Sequence, residues 1–374
     1  MYNFFMSEYI KPRTVFVGGK NNVKKVGLGG NEPVSIQTMW KESIKDVYKD
    51  SKKLSEIIKR IQNLKALGCD ILRFAVPDSE SAKSLSIIQE NVSIPLVADI
   101  HFDYKLALEC LKGNVIALRI NPGNIGSRDR VLKVVDACKE KDAAIRIGVN
   151  SGSLPKDLFA LVQENKMSRS DALVETARRE VEVFDQLNFS KVVVSMKASS
   201  VEETILSNQA FAKKFDIPLH IGVTEAGPLI SGVVKSSIAF SSLLTRGIGS
   251  TVRVSLSSSM ENEVIAAREI LSACSLRKEG ISIISCPRCG REGFDVHGFV
   301  QRWQEKLYSI EKKLTVAIMG CIVNGPGEGK TADIGIAGAG DKAIIFKKGK
   351  ISRTVDAKDA DKVFEEELNS LLNS

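Results

Sequence analysis

Much that would narrow the function is missing from this chain. Only 6% of its 374 residues are aromatic, and it holds just two tryptophans and three histidines. No apolar run approaches the ~18 residues a membrane-spanning helix needs. The opening stretch MYNFFMSEYIKPR is too short and too polar for a signal peptide, so the expected compartment is the cytoplasm, with no membrane partner. Basic blocks interleaved with aromatics are absent, so no nucleic-acid partner is expected. A single C-x-x-C occurs, with no second such pair and no H-x3-H to accompany it. The usual spacing of a structural zinc site is therefore lacking.

What is present is ordinary for a globular protein: 43% hydrophobic and 26% charged residues. The length suits two or more domains. Lys and Arg number 53 against 45 Asp and Glu, a formal net charge of +8. An excess of that sign points to an anionic substrate or an acidic partner. Seven cysteines in a cytosol-like chain argue against disulfides and for metal binding or redox chemistry at the C-x-x-C.

From Pro33 to about Ala273 a short apolar strand is followed by an amphipathic helix eight times. The strands read as Val34–Met39, Ile71–Val76, Leu96–Ile100, Val115–Ile120, Ala144–Val149, Val192–Met196, Leu219–Val223 and Thr251–Ser255. They are rich in Val and Ile, as strands buried on both faces should be. In the first helix Leu54, Ile57, Ile58, Ile61, Leu64 and Leu67 repeat at helical spacing, and Gly68 can end it. Asp78, Asp103 and Ser127 stand where N-caps belong. The expected fold is α/β: a (β/α)8 TIM-type barrel over residues 1–277, with a doubly wound open sheet as the alternative. After Arg277 the rhythm changes. Strands Ile281–Ser285 and Leu314–Met319, a helix Val296–Glu311, a hairpin at AIIFKKGKISRTV and a last helix Lys358–Leu372 read as a separate small α+β domain, residues 278–374.

Barrels carry their chemistry at the C-terminal ends of the strands. Here those ends hold Arg73, then Asp99 with His101, Arg119 with Asn121, Arg146 with Asn150, Lys197, Thr224 with Glu225, and Arg253 with Ser255. Five cations at one mouth repel one another unless an anion sits among them, and Arg forks match phosphate oxygens. The expected ligand bears more than one phosphate. The turn Gly123–Gly126 adds candidate backbone N–H donors ahead of a helix. Glu225 would act as an acid if the site closes and dries. Two glycine runs carry less: VGLGG at Val26–Gly30 reads as a turn, and GIAGAG at Gly335–Gly340 opens no helix, so no nicotinamide cofactor is expected.

Cys286 and Cys289 in SCPRCGREGFD, with Cys321 in MGCIVNGPGEGKTADIG, supply three ligands of a four-ligand site. Cys69, Cys110 and Cys138 read as inert core thiols. Cys274 lies in the pattern of the eighth helix. Glu328, seven residues after Cys321, is the better fourth candidate, because Pro326 and the glycines let the chain fold back. His297 would complete a zinc site instead. An iron–sulfur cluster leads this reading and zinc is its rival. Other readings weighed are a barrel that transfers a methyl group from a pterin and a zinc-bearing scaffold.

The motifs LRINPGNIG, VNSGSL, HIGVTEAG, SCPRCGR and MGCIVNGPGEGKTADIGIAG occur in this order. With them the chain resembles the 4-hydroxy-3-methylbut-2-enyl diphosphate synthases, in their short bacterial form, over nearly its whole length. The resemblance implies a [4Fe-4S] cluster on Cys286, Cys289, Cys321 and Glu328. It implies reductive ring opening of 2-C-methyl-D-erythritol 2,4-cyclodiphosphate in the non-mevalonate isoprenoid pathway. Positions matching Arg73, Arg119, Arg146, Lys197 and Ser255 would hold the diphosphate, Asn150 would sit in the site loop, and Glu225 would supply a proton. Electrons would come from reduced flavodoxin or ferredoxin, and a head-to-tail homodimer would bring the cluster of one chain to the barrel of the other. Two departures stand out: QTMWKESI replaces a Thr/Asn-rich loop, and Gly329 replaces a common Ala.

Overall fold

The computed structural model describes residues 8–277, 279–287, 289, 293–323, 325 and 327–373, the side chain of Glu328 excepted. The chain forms two compact units, Met1–Arg277 and Lys278–Ser374.

The first unit opens with a small antiparallel hairpin, β1 (Val15–Val17) and β2 (Val26–Leu28). Eight parallel strands follow, with helices between them: β3 (Ser35–Met39), α1 (Ser51–Ala66), β4 (Ile71–Ala75), α2 (Ser79–Glu90), β5 (Leu96–Asp99), α3 (Tyr104–Lys112) and β6 (Ala117–Ile120). A short turn α4 (Pro122–Ile125) precedes α5 (Arg128–Lys141), β7 (Ala144–Asn150), α6 (Lys156–Gln163), α7 (Arg169–Gln186) and β8 (Val192–Lys197). The series ends with α8 (Val201–Ala212), β9 (His220–Ile221), α9 (Leu229–Leu244), β10 (Thr251–Val252) and α10 (Met260–Ala273). Sheet order runs β8-β7-β6-β5-β4-β3-β10-β9. A parallel bridge between Val194 and Leu219 joins the two ends, so the sheet closes into the expected barrel.

Local chemistry accounts for the helices. In α1, Ile57, Ile61 and Leu64 form the buried stripe, and Asp50 caps the start by accepting from the N–H groups of Lys52 and Lys53. Gly68, at φ 109°, ends it in a conformation that only glycine adopts without strain, and the Cys69 N–H returns to the Leu64 carbonyl at 2.9 Å. Asp78 and Asp103 cap α2 and α3 as expected. Ser127 occupies the N-cap of α5 but makes no side-chain capping bond.

The hairpin was not legible as such. Val26–Leu28, expected to be a turn, is its second strand, and only Gly29 and Gly30 turn. Val15, Val17, Val26 and Leu28 pack on Ile71, Val97, Ala117, Ala144 and Val193, near the N-terminal ends of the barrel strands. The hairpin thus plugs the floor of the barrel, and burying each such side chain is worth ~1.5–3 kcal/mol.

In the second unit a five-stranded sheet runs β11 (Ile281–Ser285), β12 (Leu314–Met319), β13 (Ile334–Ala339), β14 (Lys342–Lys347) and β15 (Lys350–Asp356) in spatial order. The first three strands are parallel and the last two antiparallel. GIAGAG lies mostly within β13, so it is no nucleotide fingerprint. Helices α11 (Val296–Tyr308) and α12 (Ala360–Leu372) pack on the sheet around Phe299, Trp303 and Phe364, whose rings lie 5.0 to 5.5 Å apart. The expected helix 296–311 stops at Tyr308, and the last helix starts two residues late after a 3-10 turn.

Candidate functional site

Strand register builds the barrel mouth. Asp99 on β5 is paired with Arg119 on β6, and Arg119 with Arg146 on β7. Four residues further along β7, Asn150 pairs with Lys197 on β8. Residues two apart share a face, so Arg146, Gly148 and Asn150 line one side of β7 in sequence. Gly148 is the reason Arg119 fits: a Cβ there would lie 2.3 Å from Arg119 Nε.

Arg73, Arg119, Arg146 and Lys197 are buried, and Arg253 is largely so. Two buried carboxylates face these five cations. Asp99 lies 3.5 Å from Arg73 Nε and accepts from Arg119 Nη1 at 3.2 Å. Glu263 lies 3.9 Å from Arg253 Nε. Arg146 donates through Nη1 to Gln37 Oε1 at 2.5 Å. Among the described residues, Arg73 Nε, Arg146 Nε and Nη2, and Arg253 Nε have no hydrogen-bond partner. A buried N–H left unpaired costs about 1–3 kcal/mol, so the mouth is built to receive acceptors.

Its electrostatics agree. Burial alone would raise the Asp99 carboxyl, but Arg73, Arg119 and Arg146 outweigh that and hold it below the usual range. Burial lowers Arg73 to about 10 against the pull of Asp99. Burial, then Arg146, Arg253, Arg73 and Arg119, pushes the Lys197 ammonium well below its ordinary value. His220, fully buried on β9, is held neutral by burial and by Arg146, Lys197 and Arg73. Neither of its ring nitrogens has a partner among the described residues. A cavity of about 20 Å³ lies between Arg146 and the floor hairpin, lined also by Gln37 and Thr251, and has room for about one water.

The other sequence candidates fall at the rim. Ser255 and Asn150 are half-buried. Glu225 is exposed and adopts φ 51°, an uncommon left-handed conformation for a non-glycine residue. His101 is half exposed, with Nε2 3.6 Å from Asp99. Three of the N–H donors anticipated at Gly123–Gly126, those of Gly123, Asn124 and Ile125, are otherwise engaged. Asn121 takes them: its side chain accepts from Gly123 N–H at 3.0 Å, and its carbonyl accepts from Asn124 and Ile125.

In the second unit Cys286 and Cys321 follow the ends of adjacent parallel strands, β11 and β12. The Gly320 N–H donates to Cys286 Sγ at 3.0 Å. Such a bond suits a thiolate, and hydrogen bonds to sulfur tune clusters held by cysteine. Cys289 is exposed, three residues beyond Cys286. Glu328 opens a 3-10 turn, Glu328–Thr331, and its side chain lies outside the described atoms. Among the described residues no three His, Cys, Asp or Glu side chains are gathered as a metal site. The two strand-end cysteines and their sulfur-directed N–H nevertheless suit a thiolate-held cluster. Cys69, Cys110 and Cys138 are buried, each pushed up to about 12 by burial first. Cys274 ends α10 in the first unit, and His297 is exposed on α11.

Sequence reasoning missed Gln37, Gly148 and Glu263. A glutamine inside an apolar strand was the one available signal; the other two look ordinary.

Comparison with known proteins follows the same division. The GcpE TIM-barrel domain matches residues 19–268, and the GcpE protein C-terminal domain matches residues 282–370. A 4-hydroxy-3-methylbut-2-en-1-yl diphosphate synthase (flavodoxin) from Treponema denticola is 54% identical, over 96% of this chain and 98% of its own. Its counterpart in Treponema pallidum is 52% identical, over 98% and 93%. Among solved structures, a dihydropteroate synthase from Coxiella burnetii aligns with 70% of this chain and 97% of its own, at a TM-score of 0.48 and 11% identity.

Proposed function

The chain belongs to the GcpE family, and from that premise we propose that it is an oxidoreductase making 4-hydroxy-3-methylbut-2-enyl diphosphate from 2-C-methyl-D-erythritol 2,4-cyclodiphosphate. The observation that carries this reading is the cluster of buried cations at the barrel mouth, with N–H groups that await acceptors. Only a strongly anionic ligand offsets that much positive charge out of water.

On this reading Arg73, Arg119, Arg146, Lys197 and Ser255 grip the diphosphate, and Asn150 orients the carbon skeleton beside Lys197. The ring bond from carbon to phosphate oxygen breaks, one hydroxyl leaves as water, and two electrons enter. Glu225 delivers the proton to the departing hydroxyl. Its left-handed backbone, a strained state that persists where the surroundings demand it, supports a task of that kind. Asp99 holds Arg73 and Arg119 from behind, so the ligand meets a preformed fork.

Cys286, Cys289, Cys321 and Glu328 would hold a [4Fe-4S] cluster. Bound there, it would supply the electrons and, through a carboxylate easier to displace than a thiolate, Lewis acidity toward a substrate oxygen. Reduced flavodoxin is the donor this reading favours, with ferredoxin as the alternative. Both are acidic, which suits a net charge of +8. The enzyme is cytoplasmic on this account, and no helix among the described residues is long and apolar enough to cross a membrane. A head-to-tail homodimer completes the proposal. Ile230, Val234 and Ile238, an exposed aliphatic row on α9, fit a face that a second copy covers.

The test is turnover of the cyclic diphosphate by full-length, anaerobically reconstituted protein with reduced flavodoxin. Product formation is expected. A cluster-loaded protein that binds the substrate but releases no product would overturn the proposal.

A further inference from the structure

The buried carboxylate of Glu263 has no part in the roles assigned above. It sits in the first turn of α10, 1% exposed, yet it reaches the mouth on four sides. Its Oε1 accepts from the Leu256 N–H at 3.0 Å and lies 3.0 Å from Lys41 Nζ. Its Oε2 accepts from the Thr38 hydroxyl at 2.6 Å and lies 3.9 Å from Arg253 Nε. Lys41, gathered in this way, donates to the carbonyls of Leu256 and Ser258. The segment after Ser255 is therefore held at three backbone points, all traceable to one carboxylate.

We propose that Glu263 is a positioning residue for the ligand: it fixes Arg253 and the Ser255 segment, with Lys41 as its strut, so that both meet one phosphate of the diphosphate. The inference rests on the diphosphate reading of the mouth. The geometry favours positioning over plain charge balance. A counter-ion for Arg253 needs no bond to the Leu256 N–H, and a structural anchor for α10 needs no lysine bridged back to the next loop. Glu263 approaches Arg253 most closely at Nε, which leaves the Nη1–Nη2 edge for the bidentate contact that phosphate prefers. Lys41 follows the end of β3 by two residues, which places the strut beside the barrel mouth.

Charge and position make opposite predictions. Glu263→Gln removes a negative charge near an anion site, so long-range electrostatics alone would tighten anion binding. Loss of position weakens it. Titration of inorganic diphosphate into the full-length protein decides between them. Glu263→Gln should weaken binding by about 10-fold or more, equivalent to one charge-assisted hydrogen bond. In an Arg253→Met background the same change should cost about threefold less than in the wild type, the remainder being its hold on the Ser255 segment. Unchanged or tighter binding overturns the inference, and so does a loss that adds fully in the Arg253→Met background. Thr38→Val alters no charge and removes one donor to the carboxylate. If Glu263→Gln does not fold, this variant carries the test: a loss of about threefold or more is expected, and unchanged affinity overturns the proposal. Wild-type protein that fails to bind diphosphate would instead overturn the reading of the mouth itself.

Discussion

Gly148→Ala should disable the mouth without removing any charged group. The added Cβ would lie 2.3 Å from Arg119 Nε, 2.4 Å from Nη2 and 2.6 Å from Cζ, all inside van der Waals contact. The backbone of β7 is extended there and accepts alanine. The guanidinium is the softer partner, so it must swing aside. It then loses the 3.2 Å bond to Asp99 and its alignment with a bound phosphate. One charge-assisted hydrogen bond is worth about 1.5–3 kcal/mol, which converts to a roughly 10- to 150-fold weaker Kd. Calorimetric titration with inorganic diphosphate measures this directly, and thermal unfolding serves as the control. The lost Arg119–Asp99 bond should lower the melting temperature modestly, with alanine's strand preference offsetting part of it, while the variant stays folded. Affinity within about twofold of wild type would refute the placement of Arg119 and the reasoning from register.

The remaining predictions concern protons and thiols. Lys197 is held well below its ordinary value by burial first and then by neighbouring cations, and a diphosphate bound beside it would raise it again by opposite charge. Between its free and bound pKa values ligand binding therefore takes up a proton, and affinity falls as pH rises through that window. Titrations in two buffers of different ionisation enthalpy should reveal the uptake; identical heats would contradict it. Glu225→Gln should keep diphosphate affinity while turnover drops by about 100-fold or more, the usual worth of a positioned acid. Wild-type turnover would remove Glu225 from the mechanism. Cys69, Cys110 and Cys138, buried and pushed up to about 12, should resist iodoacetamide in the native protein; labelling of any of them before unfolding would speak against their burial. Glu328→Ala should lose most turnover whereas Cys274→Ala keeps its iron, and the reverse pattern would exchange their roles.

The barrel was readable because central parallel strands bury both faces and appear as Val and Ile runs. Most of its strands end within one or two residues of their expected limits, whereas β9 and β10 are shorter because the mouth loops leave the sheet after Ile221 and Val252. The floor hairpin escaped notice because its strands have three residues each and its glycines suggest a turn. At the mouth the cations were legible by their position at strand ends, since a charge is conspicuous beside apolar residues. Their supports were not. Glu263 looks like any acid in the first turn of a helix, where the dipole favours it, and only tertiary structure turns it toward Lys41 and Arg253. Gly148 carries no sequence signal, because the crowding it relieves comes from the next strand. Cys286 and Cys321 were legible as strand-end cysteines, while Glu328 rested on its motif.

The account turns on the three cysteines of the second unit carrying a redox cluster. Iron, sulfide and zinc analysis with a visible spectrum, on protein purified without oxygen, tests this most directly. The account predicts about four irons and four sulfides per chain, with a brown absorbance that dithionite bleaches. Stoichiometric zinc without iron, persisting after anaerobic reconstitution, would contradict it and return the second unit to a structural role.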